Sequence, residues 1–306
     1  MIIAVFPGQG SQTPGFLAPW LEFEGARERL AEYSEQAQVD LVAAGTTWDA
    51  DRIRDTKVAQ PLIVAASLLS YTALVERAGV APQGVAGHSV GELAALAAAG
   101  VLAEPDALRL VGIRGRAMAD AATAVQTGMS AVLGGDEQTV LDTLDRLTLT
   151  PANFNGGGQI VAAGALGDLA ELAATPPRGT RVIPLQVAGA FHTGYMAPAV
   201  DTLRTAAAAV EASDPSLTLW TNNDGSIVPT GRAAVDLMVA QIASPVRWDR
   251  CMASFAEHDV TGIIELAPAG TLVGLAKRAL RGVPSVAVKT PDDLQAATEL
   301  LTGDAE

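Results

Sequence analysis

The chain has 306 residues, 49% of them hydrophobic and 18% charged, with 30 glycines and 17 prolines; this composition excludes disordered, collagen-like and coiled-coil architectures. Its net charge of -14, from 34 acidic against 20 basic residues, removes the broad cationic surface that non-specific nucleic-acid binding requires, so an anionic partner has to meet a local basic patch. Cys251 is the one cysteine, so the fold does not rest on an internal disulfide, and a reducing, cytoplasmic setting is expected.

In chain order, residues 2–6 read as a buried strand; no basic region precedes them, and Pro7-Gly8 follows too early for a secretory leader. Residues 61–75 read as a helix. Their apolar run, 62–75, is shorter than a membrane span and carries Ser67, Ser70 and Thr72, so no membrane segment is expected. A strand at 84–88 and a helix at 90–99 continue the alternation of a parallel α/β sheet. Glu104-Pro105-Asp106 starts a helix over 105–122, proline and acids both suiting a first turn.

Shorter elements then follow: strand 129–133, helix 137–147, strands 152–154 and 159–163, helix 166–174 and strand 181–185. This β-α-β-β-α-β order is the ferredoxin-like pattern. Helices at 198–212 and 231–243 and strands at 217–221 and 262–266 resume the α/β signal. The expected organisation is therefore a discontinuous large α/β domain, residues 1–127 and 189–306, with a small ferredoxin-like domain inserted at 128–188.

Gly87-His88-Ser89-Val90-Gly91 fits G-x-S-x-G between a strand and a helix, the context of a nucleophile elbow. There the helix N-terminus offers N–H groups to a developing oxyanion. Ser89-x-x-Glu92 also reads as a capping box. A plain cap leaves Gly91 unexplained, because glycine in a first helical turn costs ~1 kcal/mol relative to alanine. A serine nucleophile needs a base, and the chain has three histidines. His88 should point away from its neighbour Ser89, and His258 ends a helix beside Glu257 and Asp259. His192 remains, in the small-residue stretch Ala188-Gly189-Ala190-Phe191-His192-Thr193; alone, it reads as an ordinary loop histidine.

Arg114 shares the apolar side of its helix with Leu110, Val111, Ala117 and Met118. A structural ion pair, a snorkelling side chain and bidentate capture of a substrate carboxylate all account for it. Gly8 and Gly10, after the first strand, serve equally as a plain turn or an anion nest, without Walker A or G-x-G-x-x-G spacing. No motif for a metal site is present.

Taken together, these segments resemble the malonyl-CoA:acyl-carrier-protein transacylase family of fatty-acid synthesis and the related acyltransferase domains of polyketide synthases. The matching stretches include Phe6-Pro7-Gly8-Gln9-Gly10-Ser11-Gln12, Gly87 to Glu92, Ile113-Arg114-Gly115-Arg116, Asn153-Phe154-Asn155, Gly189-Ala190-Phe191-His192, residues 241–248 and residues 265–270. The resemblance implies a hydrolase-like α/β domain with a ferredoxin-like insertion. It implies Ser89 as the acylated nucleophile, His192 as its base, the Gln9 and Val90 N–H groups as oxyanion hole, and Gln241 as the residue whose carbonyl orients the histidine. Arg114 would hold the malonyl carboxylate, and Asn155 and Phe191 would contact substrate, Phe191 narrowing the space beside the α-carbon. No cofactor is implied, malonyl-CoA being the substrate and an acyl carrier protein the partner.

Lys277 and Arg278, grouped with Arg281 on a helix after Pro268-Ala269-Gly270, are the candidate docking residues, with the alternative that they only favour their own helix end. A serine thioesterase shares the elbow. Its acid precedes a late histidine, whereas 114 residues follow His192 here.

Overall fold

In the computed structural model, which describes residues 1–303, the N-terminal apolar run forms β1 (Ile2–Phe6) at the centre of a parallel sheet. Ile3, Ala4, Val5 and Phe6 are fully buried, because helices cover both faces of such a sheet and leave no polar side to the strand. β2 (Gly84–Gly87) lies on one side of β1.

β3 (Thr127–Gly134), β4 (Thr150–Gly156), β5 (Gln159–Ala165) and β6 (Thr180–Pro184) build a second sheet. Then come β7 (Thr218–Trp220), β8 (Val246–Arg247), β9 (Gly262–Glu265) and β10 (Ser285–Ala287). The first sheet has the order β10-β9-β1-β2-β7, with every pair parallel. The second runs β6-β3-β5-β4-β8. Its first four strands are antiparallel, with helices Glu137–Arg146 and Leu166–Ala174 between them in the expected β-α-β-β-α-β order. β8, at residues given no element from the sequence, adds in parallel to β4 and extends this sheet with a strand from the later part of the chain.

The helix expected at 61–75 is longer, Thr56–Ala78, with Pro61 inside it. Asp55 starts it by accepting the Lys57 N–H at 3.1 Å, an N-terminal signal earlier than the proline. The added turn carries Gln60 into the protein interior. This 23-residue helix is the one among the described residues long and apolar enough to cross a membrane, against the shorter apolar run read from sequence. It is instead packed inside the protein against the helices Glu104–Ala124 and Gly91–Ala98. The helix expected over 198–212 ends at Ala207, and that over 231–243 becomes a 3-10 turn at Gln241–Ala243.

Register decides where the two chemistry-bearing loops meet. Phe6 at the end of β1 pairs with Gly87 at the end of β2, so the Gly8–Gly10 turn and the Ser89 elbow leave adjacent carboxyl ends of parallel strands, where open α/β sheets bind ligands.

Candidate active site

Ser89 sits between β2 and the helix Gly91–Ala98 with φ of 53°, a left-handed conformation that costs about 1–3 kcal/mol outside glycine. A Cβ on Gly87 would overlap the Gly91 main chain, and one on Gly91 would overlap the Phe6 carbonyl oxygen. Both glycines are therefore required by the close strand-to-helix crossing. Val90, with no side-chain cap, occupies the helix N-cap position, so the capping-box alternative does not hold. The Glu92 carboxylate instead accepts the Asn222 main-chain N–H at 2.5 Å, and Asn222 Oδ1 accepts the Ser89 N–H at 2.7 Å.

His192 also has positive φ, 60°. Its loop lies close against the helix Glu104–Ala124, where a Cβ on Gly189 would be 2.7 Å from that of Ala122, and the Ala190 N–H donates to Thr127 Oγ1 at 2.9 Å. The His192 Nε2 is 2.7 Å from Ser89 Oγ and its Nδ1 is 2.8 Å from the Gln241 carbonyl oxygen. A carbonyl only accepts, so Nδ1 carries the proton and Nε2 is left to accept the serine hydroxyl. Burial first, then the Arg114 cation, push this imidazole down to about 3, so it is neutral near pH 7. A neutral imidazole against a hydroxyl is a competent general base.

Arg114 is 1% exposed. Nη1 donates to Gln60 Oε1 at 2.7 Å, Nη2 to Gln241 Oε1 at 2.9 Å, and Nη2 lies 3.5 Å from Ser89 Oγ. Nε has no partner among the described residues. Burial lowers the guanidinium to about 10, with Glu92 pulling the other way. Among the described residues no carboxylate takes the fork itself, which leaves donors for an anion entering beside Ser89. Burial pushes the Glu92 carboxyl up to about 7 against the lowering effect of its hydrogen bonds and of Arg114.

Ser89, His192, Arg114 and Gln60 face a cavity of about 230 Å³ that Gln9, Val90, Met118, Asn155 and Phe191 also line. Among the described residues the Gln9 and Val90 main-chain N–H groups have no hydrogen-bond partner, as an oxyanion site would need. His88 also lines the cavity but makes no hydrogen bond to the Ser89 hydroxyl among the described residues; its Nε2 is 2.9 Å from Asn155 Oδ1. Asn155 thus lines the cavity with its amide oxygen already engaged. His258 sits at a helix C-terminus with Nδ1 2.8 Å from the Ser254 carbonyl oxygen.

Lys277 and Arg278 lie in the last turn of the helix Thr271–Ala279, whose first residues, Thr271 and Leu272, line the cavity. Arg278 Nη2 is 3.3 Å from Oε1 of the cavity-lining Gln159. Arg281, expected on the same helix, lies beyond its end.

Sequence reasoning did not single out Gln60 or Asn222 and read Glu92 only as a cap. Gln60 precedes the helix as read from sequence, which starts at Pro61, so nothing there marked it as an interior residue. Nothing in the Thr221-Asn222-Asn223 turn marked Asn222 as a partner of Ser89.

A buried serine–histidine pair on an α/β elbow, with an arginine fork beside the nucleophile, is an arrangement suited to acyl transfer. The chain matches the acyl transferase domain family over residues 3–296 and belongs to that family. It is 54% identical over 302 residues to the malonyl CoA-acyl carrier protein transacylase of Mycobacterium tuberculosis, covering 98% of this chain and 100% of that protein. The crystal structure of the transacylase MCAT from Mycobacterium tuberculosis superposes with a TM-score of 0.94 at 53% identity, covering 97% of this chain and 100% of that one. A malonyl-transacylase in complex with its type II PKS acyl-carrier protein superposes with a TM-score of 0.92 at 31% identity, covering 98% and 99%.

Proposed function

We propose that the chain moves a malonyl group from malonyl-CoA to the phosphopantetheine thiol of an acyl carrier protein, through an ester on Ser89. The observation that carries this reading is the Arg114 Nη2 placed 3.5 Å from Ser89 Oγ, which sets a carboxylate anchor beside a nucleophile. His192 Nε2 takes the hydroxyl proton as Ser89 Oγ attacks the thioester carbonyl, the Gln9 and Val90 N–H groups receive the oxyanion, and the proton returns to the departing CoA thiolate. In the second half the carrier thiol gives its proton to His192 and attacks the ester; the adduct breaks its bond to Ser89 Oγ, which takes that proton back from His192 as the malonyl thioester leaves. Carbonyl exchange between sulfur and oxygen needs no redox or cofactor chemistry.

The Gln241 carbonyl holds the imidazole tautomer without a third acid. Phe191 borders the acyl pocket and favours malonyl over a bulkier α-substituted extender; one methyl is worth only ~1–3 kcal/mol in such a pocket. Asn155 contacts substrate from the cavity wall, where its amide oxygen lies 2.9 Å from His88 Nε2. Lys277 and Arg278 form the carrier-docking patch, supported by their place on the helix that begins at the cavity. The division into residues 1–127 with 189–306, and 128–188, and a cytoplasmic setting, belong to the same reading.

Polyketide-type transfer of another extender is the second reading, raised by the sequence resemblance to polyketide-synthase acyltransferase domains. Incubation with malonyl-CoA, acetyl-CoA and methylmalonyl-CoA, with and without holo carrier protein, separates them. Malonyl transfer dominating supports the proposal, methylmalonyl transfer dominating replaces it with the second, and rapid release of free acid with no carrier labelling indicates a thioesterase.

A further inference from the structure

Arg114 and Glu92 are both buried, with exposures of 1% and 5%, yet they do not touch. The Gln241 side-chain amide stands between them: its Oε1 accepts Arg114 Nη2 at 2.9 Å, and its Nε2 donates to Glu92 Oε2. The same Nε2 faces the Ser89 carbonyl oxygen at 3.1 Å and Asn222 Oδ1 at 3.2 Å. Every partner on the Nε2 side is an acceptor, and Arg114 has only donors to offer. The row therefore has one direction, from guanidinium N–H to amide oxygen, and from amide N–H to carboxylate. The other Glu92 oxygen is fixed as an acceptor by the Asn222 N–H at 2.5 Å.

We infer that Glu92 is a positioning residue for Arg114, acting through the Gln241 side-chain amide, and that it thereby sets the preference of the site for acyl groups carrying a free carboxylate. This rests on the malonyl-transfer reading. Glu92 touches neither Ser89 Oγ nor the cavity-lining face of the arginine fork. When ionised, it supplies the distant negative charge that a buried guanidinium needs while leaving the fork free of a direct carboxylate, which would compete with the substrate. A direct Arg114–Glu92 pair would occupy the donors that the substrate uses; the interposed amide transmits orientation without occupying them.

Glu92→Gln is nearly isosteric and reverses one end of the row. Its oxygen stays with the Asn222 N–H, so its new N–H₂ group confronts Gln241 Nε2, donor against donor. Turning the Gln241 amide relieves that conflict only by presenting an N–H₂ group to Arg114. Either outcome disorders the fork.

The test compares kcat/KM for malonyl-CoA and acetyl-CoA in wild type, Glu92→Gln, Gln241→Met, Arg114→Ala and Arg114→Ala/Glu92→Gln. The malonyl-to-acetyl ratio should fall roughly 10–100-fold in Glu92→Gln, the range of one charge-assisted hydrogen bond. It should fall similarly in Gln241→Met, which keeps the main-chain carbonyl to His192. Adding Glu92→Gln to Arg114→Ala should leave the ratio where Arg114→Ala put it. A ratio unchanged in the folded Glu92→Gln protein, or lowered as much without Arg114 as with it, overturns the inference. Should Glu92→Gln not fold, an unchanged ratio in Gln241→Met overturns it equally. Wild type failing to prefer malonyl-CoA defeats the underlying functional reading instead, so the two failures are distinct.

Discussion

Ser89 and His192 are two of five non-glycine residues with positive φ among the described residues, so both members of the proposed nucleophile–base pair carry backbone strain. Replacing His192 by alanine should slow Ser89 acylation by roughly 10²–10⁴-fold in a single-turnover measurement; an unchanged rate would transfer the base role to another group. Because burial and Arg114 hold the imidazole near 3, its basic form persists as pH falls through the ordinary histidine range. The Glu92 carboxyl, pushed to about 7, is the nearby group that titrates there. Acylation of Glu92→Gln by acetyl-CoA should accordingly be flat from about pH 5 to 8, and an inflexion near 6.5 would show His192 to be unshifted. Arg114→Ala should weaken malonyl transfer relative to acetyl transfer by about 2 kcal/mol or more, as loss of one partner of a buried charge pair does. Equal loss for both acyl groups would make Arg114 purely structural.

At the scale of elements, the G-x-S-x-G crossing is legible in sequence because two glycines at fixed spacing have a steric cause. Gly91→Ala puts a methyl into the Phe6 carbonyl and should lower unfolding free energy by about 1–3 kcal/mol, read from the denaturant midpoint; wild-type stability would contradict the required close approach. Strong periodicity also made the helix Leu166–Ala174 and the strand β5 readable to within two residues. β8 was not readable, since a two-residue strand after Pro245 has no period and exists through its pairing with Asn153 and Phe154. The length of Thr56–Ala78 was missed because Pro61 reads as a start, whereas Asp55 provides the cap. The Glu92–Gln241–Arg114 row joins positions 149 and 127 residues apart, a relation that local pattern does not contain.

For the whole molecule, a net charge of -14 opposes long-range attraction of an anionic partner, which has to meet local cations. Lys277 and Arg278 stand on the helix whose start lines the cavity. Reversing both to glutamate should raise KM for the carrier and reduce the salt dependence of transfer, with acylation by malonyl-CoA alone nearly unchanged; unaffected carrier kinetics would place the docking surface elsewhere. The elbow and the arginine fork beside it bear on one proposed chemical event, formation of a malonyl ester on Ser89. Intact-mass analysis after brief exposure to malonyl-CoA tests that event directly. Wild type should gain the mass of one malonyl group, mapped to Ser89 and lost on addition of holo carrier protein, while Ser89→Ala gains none; acylation of Ser89→Ala, or an unmodified wild type that still transfers malonyl, would contradict the account.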